Sequence, residues 1–470
     1  MSMIRTFHER WRRHTGEAGE WLWSFLTRIA DYNVRINAVA ELNPHALNEA
    51  ESMDRCFRGH EPPGLLSGVP VLVKDNIAVA GPLHTTAGSL ALKDNYAHSD
   101  AFVVRQIRRA GGIILGKSHL TEWANFMSDH MTNGYSSYGG QVMNPYGPGV
   151  FDVGGSSSGS GAGVAAGFAP VALGTETSGS ILSPCSQNSV VGIKPTVGLV
   201  SRSGIVPISY SQDTAGPVAA SVEDAAILLT VIQGYDPDDP ATALAPGYPD
   251  YRNDLVAGGL KSRRLGVPRR RYLDDTDGEE CALMEQALSM MSDLGVDIVD
   301  PADIDTAEEN WTYDVLLYEF SGALNAYLCE WTSQGPKTLQ EVIEFNNAHS
   351  QEMLRYGQSI LMEAYSTRGR LTDRRYLLGR QNDLLWSRNR GIDKTLATHN
   401  LDALLFVGSS GADIAARAGY PSVSVPLGYT PVGKPVGLTF TAGAFQESLL
   451  IQMAFAWEQA TKFRKPPVVV

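Results

Sequence analysis

Cysteine is scarce in this chain. Its 470 residues hold four, Cys56, Cys185, Cys281 and Cys329, far apart and with no C-x-x-C spacing. That argues against a zinc site and against a disulfide-dense secreted scaffold; reduced thiols are the simplest reading. Long apolar runs are missing too, since none approaches the roughly 20 residues that a membrane helix needs. Arg5, Arg10, Arg12 and Arg13 are followed only by the short apolar stretch "WLWSFL", too brief for a signal segment. No membrane partner is expected, and the chain reads as cytoplasmic. Positive charge is in deficit, with 38 Lys and Arg against 51 Asp and Glu and a formal net charge of −13. A general nucleic-acid binder carries a basic field, so no nucleic-acid partner is expected. The one basic run, Lys261, Arg263, Arg264 and Arg269 to Arg271, reads as solvated loop around the short strand "RLGVP". "DDTDGEE" lacks the carboxylate spacing of a calcium loop and reads as a helix start with an acidic first turn.

What is present is a chain with 43% hydrophobic and 19% charged residues, enough for a large core. Residues 1–60 are mostly helical in pattern, with Asn43 as a cap and Pro44 in the first turn of "LNPHALNEAESMDRCF". From 61 to 235 the texture changes. "GVPVLV", "GGIILG", "APVALG" and "VVGIKP" read as buried strands, with "DAFVVRQIRRA" and "VEDAAILLTVIQ" as helices between them. That alternation predicts an α/β sheet covered by helices on both faces. Residues 236–400 are mostly helical, with "CALMEQALSMMSDLG" and the aromatic-rich "WTYDVLLYEFSGALNAYL". Strand signals return in 401–470 at "DALLFV", "PSVSVPL" and "GLTFT", before a last helix. One sheet starts early, is interrupted, and resumes near the end.

The segment "GGSSSGSGAG", Gly154 to Gly163, admits several readings. A plain linker should join two self-contained units, but strands and helices of one texture lie on both sides. A dinucleotide fingerprint at Gly161, Gly163 and Ala166 lacks a good preceding strand and a well-placed acid. Gly155 to Gly159 also fits the G-x-S-x-G nucleophile elbow, with Ser157 attacking; a serine esterase of that kind would need His349 or His399 as base. Lys74, ending the apolar strand "GVPVLVK", can snorkel to solvent, and the residues alone leave that open.

Taken together, "GVPVLVKDNI", "GGSSSGSGAGVAAG", "GTETSGSILSP", "VVGIKPTVGLVSRSGIVPISYSQDTAGPVA" and the closing "ARAGYPSVSVPLGY" resemble the amidase signature family in order and spacing. The likeness spans roughly residues 20 to 465, with a variable middle, and "LTEWANFMS" and "GTETSGSILSP" look closer to stand-alone bacterial amidases, including those resembling peptide amidase. It implies a single α/β domain built on one large mixed sheet, with a helical region over the pocket. By this resemblance Ser180 is the nucleophile, Ser156 the relay serine held after a cis peptide bond, and Lys74 the base. The backbone N–H groups of Thr177, Ser178, Gly179 and Ser180 are expected to form the oxyanion hole. Ala124, Asn125 and Leu182 are expected along the substrate, with Gly155, Ser157 and Asp213 supporting from behind. No metal or organic cofactor is implied, and the partner is a small-molecule amide; a homodimer is left open. Lysine can take a proton only when neutral, so its pKa must fall from about 10.4 by on the order of 3 units, which burial beside an apolar strand supplies.

The chain departs from the family's common G-G-S-x-R pattern: Ser178 stands for the first glycine and Leu182 for the arginine. Ser178 keeps its backbone donor. Leu182 removes a charge, which argues against an acidic substrate and against the glutamyl-tRNA amidotransferase member of the family, whose catalytic polypeptide shares the signature.

Overall fold

The computed structural model describes residues 2–13, 16–57 and 64–468. The boundary expected between residues 60 and 61 lies outside the described residues. Among the described residues thirteen strands form: β1 (Val39–Leu42), β2 (Pro70–Lys74), β3 (Ile113–Ser118), β4 (Tyr135–Ser136), β5 (Gly140–Gln141), β6 (Val171–Glu176), β7 (Val191–Lys194), β8 (Thr214–Ala219), β9 (Arg264–Gly266), β10 (Asp297–Val299), β11 (Ala403–Val407), β12 (Ser422–Tyr429) and β13 (Pro435–Thr441). β4 and β5 pair only with each other. The other eleven make one sheet in the order β1-β3-β2-β6-β8-β7-β12-β13-β11-β9-β10. The sheet is mixed: β2 runs parallel to β3 and β6, whereas β6–β8, β7–β12 and β12–β13 are antiparallel. Every residue of β2, β3, β6, β7 and β8 is buried, as continuous apolar strands between two helical layers should be. β1 is a strand inside the stretch read as helical. Its four residues are too few to announce themselves, and its partner β3 defines it.

Helices α1 (Met3–Arg12), α2 (Ala18–Ile36), α3 (Ala46–Phe57), α4 (Phe102–Arg109), α5 (Ser158–Ala165), α6 (Leu182–Gln187), α7 (Val222–Ile232), α8 (Gly278–Asp293) and α9 (Asp314–Trp331) pack around the sheet, α1 to α4 and α7 to α9 following the patterns above. Asn43 acts one turn earlier than expected: its Oδ1 accepts from the His45 N–H, and α3 starts at Ala46. The acidic "DDTDGEE" does start a helix, with Asp277 capping α8. α9 begins only at Asp314, so Trp311 and Tyr313 precede it, and Trp311 packs edge-on against Trp386. His399 is the last residue of a short helix (Asp393–His399). Among the described residues no helix is long and apolar enough to cross a membrane.

Alternation along β2 decides where its lysine goes. Val71 and Val73 join the core cluster that includes α4 and α7, while Leu72 joins the opposite cluster containing α2 and α5 residues. Lys74 has the parity of Leu72 and so points toward the α5 side. Only small residues let α5 come close enough to meet it. A Cβ on Gly159 would stand 2.4 Å from the Ala38 carbonyl oxygen and 2.5 Å from that of His119. Gly159→Ala is therefore expected to lower stability by about 1–3 kcal/mol through overpacking, measured as a reduced urea midpoint at unchanged m-value.

Candidate active site

Lys74 is fully buried. Its Nζ lies 2.8 Å from Ser156 Oγ, 2.8 Å from Thr175 Oγ1 and 3.2 Å from the Thr175 carbonyl oxygen. Asn76 Nδ2 donates to the same Thr175 Oγ1 at 3.0 Å. Burial lowers the Lys74 pKa to about 7, and the Glu176 and Asp213 carboxylates oppose that shift without reversing it. Lys74 forms no ion pair among the described residues. The amine is therefore poised between its two protonation states near neutral pH.

Ser156 follows a cis peptide bond from Gly155 and is fully buried. The chain reaches it through Gly154 at φ +69°, where a Cβ would sit 2.6 Å from Pro184 Cα. Ser180 lies in the turn between β6 and α6 and is 7% exposed. Its carbonyl accepts the Ser157 N–H at 3.1 Å, which ties it to the residue after Ser156. Among the described residues Ser180 Oγ has no hydrogen-bond partner, so the structure joins Lys74 directly to Ser156 and holds Ser180 beside them through the backbone.

The turn Thr177–Ser180 is pinned by side chains from distant segments. Thr177 Oγ1 donates to Asp213 Oδ1 at 2.5 Å, and Gln212 Nε2 donates to the Thr177 carbonyl at 3.2 Å. Ser178 Oγ donates to Asp413 Oδ1 at 3.4 Å. Glu176 Oε2 accepts the N–H groups of Ile181 and Leu182 at 2.7 and 3.0 Å, fixing the start of α6 directly after Ser180. The N–H groups of Ser178, Gly179 and Ser180 have no acceptor among the described residues and remain free for a ligand oxygen. Burial pushes the Asp213 pKa up to about 6, against the Thr177 hydroxyl and the Ile208 and Ser209 N–H groups that favour its charged form.

A cavity of about 260 Å³ opens beside this turn. Ala124, Thr177 and Asp213 are on its wall. Trp123, Ala124 and Asn125 form a left-handed stretch with φ of 50°, 54° and 69°, a conformation non-glycine residues hold only under constraint. Asn125 is exposed and off the wall. Leu182 departs from its expected contact with substrate: its side chain is fully buried, and only its backbone N–H serves the site, through Glu176. Nor does a histidine reach Ser157. Its Oγ donates to the Thr175 carbonyl and accepts the Thr175 N–H, His349 is exposed beside Phe345, and His399 ends its helix next to Arg264. Among the described residues no cluster of three or more His, Cys, Asp or Glu is placed to hold a metal ion.

Sequence reasoning passed over Asn76, Thr175, Glu176 and Asp413. Thr175 and Glu176 carried a signal, being polar residues that end an apolar strand just before "TSGS". Asp413 carried none.

The family match and the relatives it brings make this a hydrolase acting on carbon–nitrogen bonds. The chain belongs to the amidase family, described as Amidase, whose profile matches residues 20–451. A probable amidase from Arabidopsis thaliana is 41% identical over 454 residues, spanning 94% of this chain and 86% of that protein. The crystal structure of native peptide amidase from Stenotrophomonas maltophilia is similar with a TM-score of 0.91 and 42% identity, covering 98% of this chain and 97% of that one. A glutamyl-tRNA(Gln) amidotransferase polypeptide from Bdellovibrio bacteriovorus is 31% identical, spanning 95% of this chain and 94% of its own length.

Because the Glu176 carboxylate favours the Lys74 ammonium, Glu176→Gln should move the Lys74 titration to lower pH. NMR titration of the labelled lysine ε-carbon checks the direction; a midpoint that rises would mean that the carboxylate does not act on the amine.

Proposed function

We propose that the protein hydrolyses linear carboxylic amides through an acyl-enzyme on Ser180, with Ser156 as proton relay and Lys74 as base. The observation that carries this is a fully buried amine lying 2.8 Å from the Ser156 hydroxyl, where burial pushes its pKa down to about 7. With Nζ neutral, Ser156 passes its proton to Lys74 and takes the proton of Ser180 as Ser180 Oγ attacks the substrate carbonyl. The Ser157 N–H to Ser180 carbonyl bond at 3.1 Å holds the two serine segments together for this transfer. The oxyanion is met by the free N–H groups of the Thr177–Ser180 turn, which favour it more than the planar carbonyl. The proton then returns through Ser156 to the leaving nitrogen, and the C–N bond breaks. Water repeats the attack on the acyl-enzyme by the same relay, releasing the carboxylic acid and restoring Ser180. Esters should react as a side activity, since they ask less of the leaving-group acid.

The likeness to the Stenotrophomonas peptide amidase favours C-terminal carboxamides of peptides as substrates. A second reading, a partner-dependent component of an amidotransferase, draws on the 31% identity to the Bdellovibrio polypeptide. Appreciable amide hydrolysis by the isolated chain separates the two.

On a panel of peptide amides, alkyl amides and anilides, Ser180→Ala should lose at least about 10³-fold in kcat/KM at an unchanged unfolding midpoint. Equal turnover by both proteins would remove the nucleophile assignment. The active amine is the deprotonated form, so log kcat/KM should rise with slope one below about pH 7 and level off above it. Lys74→Ala should lose that limb together with most of the activity.

A further inference from the structure

The cavity beside the Thr177–Ser180 turn has an outer end that the chemistry above does not use. Helix α9 presents Ala323, Ala326, Tyr327, Glu330 and Trp331 to it, one helical stripe. The alanines leave room, the Tyr327 and Trp331 rings lie nearly parallel at 6.3 Å, and Glu330 is exposed at the rim. Tyr210, Asp238 and Asp239 also line it.

The charges on this wall do not cancel. Among the described residues Arg202 is its one Lys or Arg, and it is consumed by Asp239, with Nη2 to Oδ1 at 2.5 Å and Nε to Oδ2 at 2.8 Å, while Nη1 donates to the Tyr210 carbonyl. The side chains of Asp238 and Glu330 make no ion pair or hydrogen bond among the described residues. One polar atom further in is also unmet: the Tyr327 hydroxyl, on a residue 5% exposed. Buried polar groups are nearly always paired, so it calls for a ligand partner, and it can accept an N–H. Free carboxylates, an unmet acceptor and aromatic faces in one cavity are the chemistry of cation recognition.

We propose that this end of the cavity is a subsite for an ammonium or guanidinium group on the acyl part of the substrate. It rests on the amide-hydrolase reading, and it makes basic peptide amides better substrates than neutral ones and carboxylate-bearing ones worse.

The test uses N-acetyl dipeptide amides with lysine, norleucine or glutamate at either residue. At one of the two positions, lysine should exceed norleucine in kcat/KM by about 5- to 10-fold at low salt, with glutamate lowest, and the ratio should shrink as salt is added. In the double variant Asp238→Asn, Glu330→Gln the ratio should fall toward one. Equal rates for lysine and norleucine at both positions, or a ratio that survives the double substitution, overturns the subsite. Calorimetry of the same amides on Ser180→Ala reads binding without turnover. Tighter binding of the lysine amide there, with no hydrolysis by the unsubstituted protein, keeps the subsite and rejects the hydrolase reading. Equal binding rejects the subsite alone.

Discussion

Burying an amine without a counter-ion is the constraint on which this molecule is organised. An ammonium taken out of water and left unpaired is costly enough that the group gives up its proton instead. The fold enforces this by ending a fully buried strand with Lys74 and closing α5 over it. What remains around Nζ is two hydroxyls and a carbonyl, partners that suit an amine in either protonation state. The glycine- and serine-rich stretch serves that closure. It is the part of a helix and its approach that must lie against a strand with nothing in between.

Two other lysines are as deeply buried, and their surroundings show why position 74 differs. Lys117 faces Asp75 at 3.5 Å and donates to the Thr85 hydroxyl, so a carboxylate fixes its role. Lys194 donates to the Pro195 carbonyl, with burial lowering its pKa to about 8 against Glu176 and Glu447. Among the described residues neither hydrogen-bonds a serine hydroxyl. Burial alone makes an ammonium readier to lose its proton; the neighbouring hydroxyl gives that property an outlet.

Much of this was legible in the residues. Continuous apolar runs located the central strands because a strand covered on both faces admits no polar alternation. The parity of Leu72 and Lys74 was available too, once one face was assigned to the small-residue helix. Choosing between Ser156 and Ser157 was not a matter of composition, since both sit in "GGSSSG"; the resemblance named Ser156, and the backbone turned its Oγ to Lys74 while Ser157 was spent on Thr175. Leu182 misled because a side chain was inferred to face substrate at a position where the main chain does the work. Asp413 was invisible for a different reason. Its contact with Ser178 crosses 235 positions and leaves no local pattern.

That last contact belongs to a wider interleaving. β7 is hydrogen-bonded to β12, so a strand from the first half of the chain waits for one near its end. The turn carrying Ser180 leans on Glu176 at its own doorstep, but also on Asp213 and Asp413. Such distant pairings are slow to close, because loop entropy must be overcome before the contact rewards it. The turn that carries Ser180 therefore has its full set of braces only once the segment bearing Asp413 has docked against it, so local order there is a late product of the whole assembly.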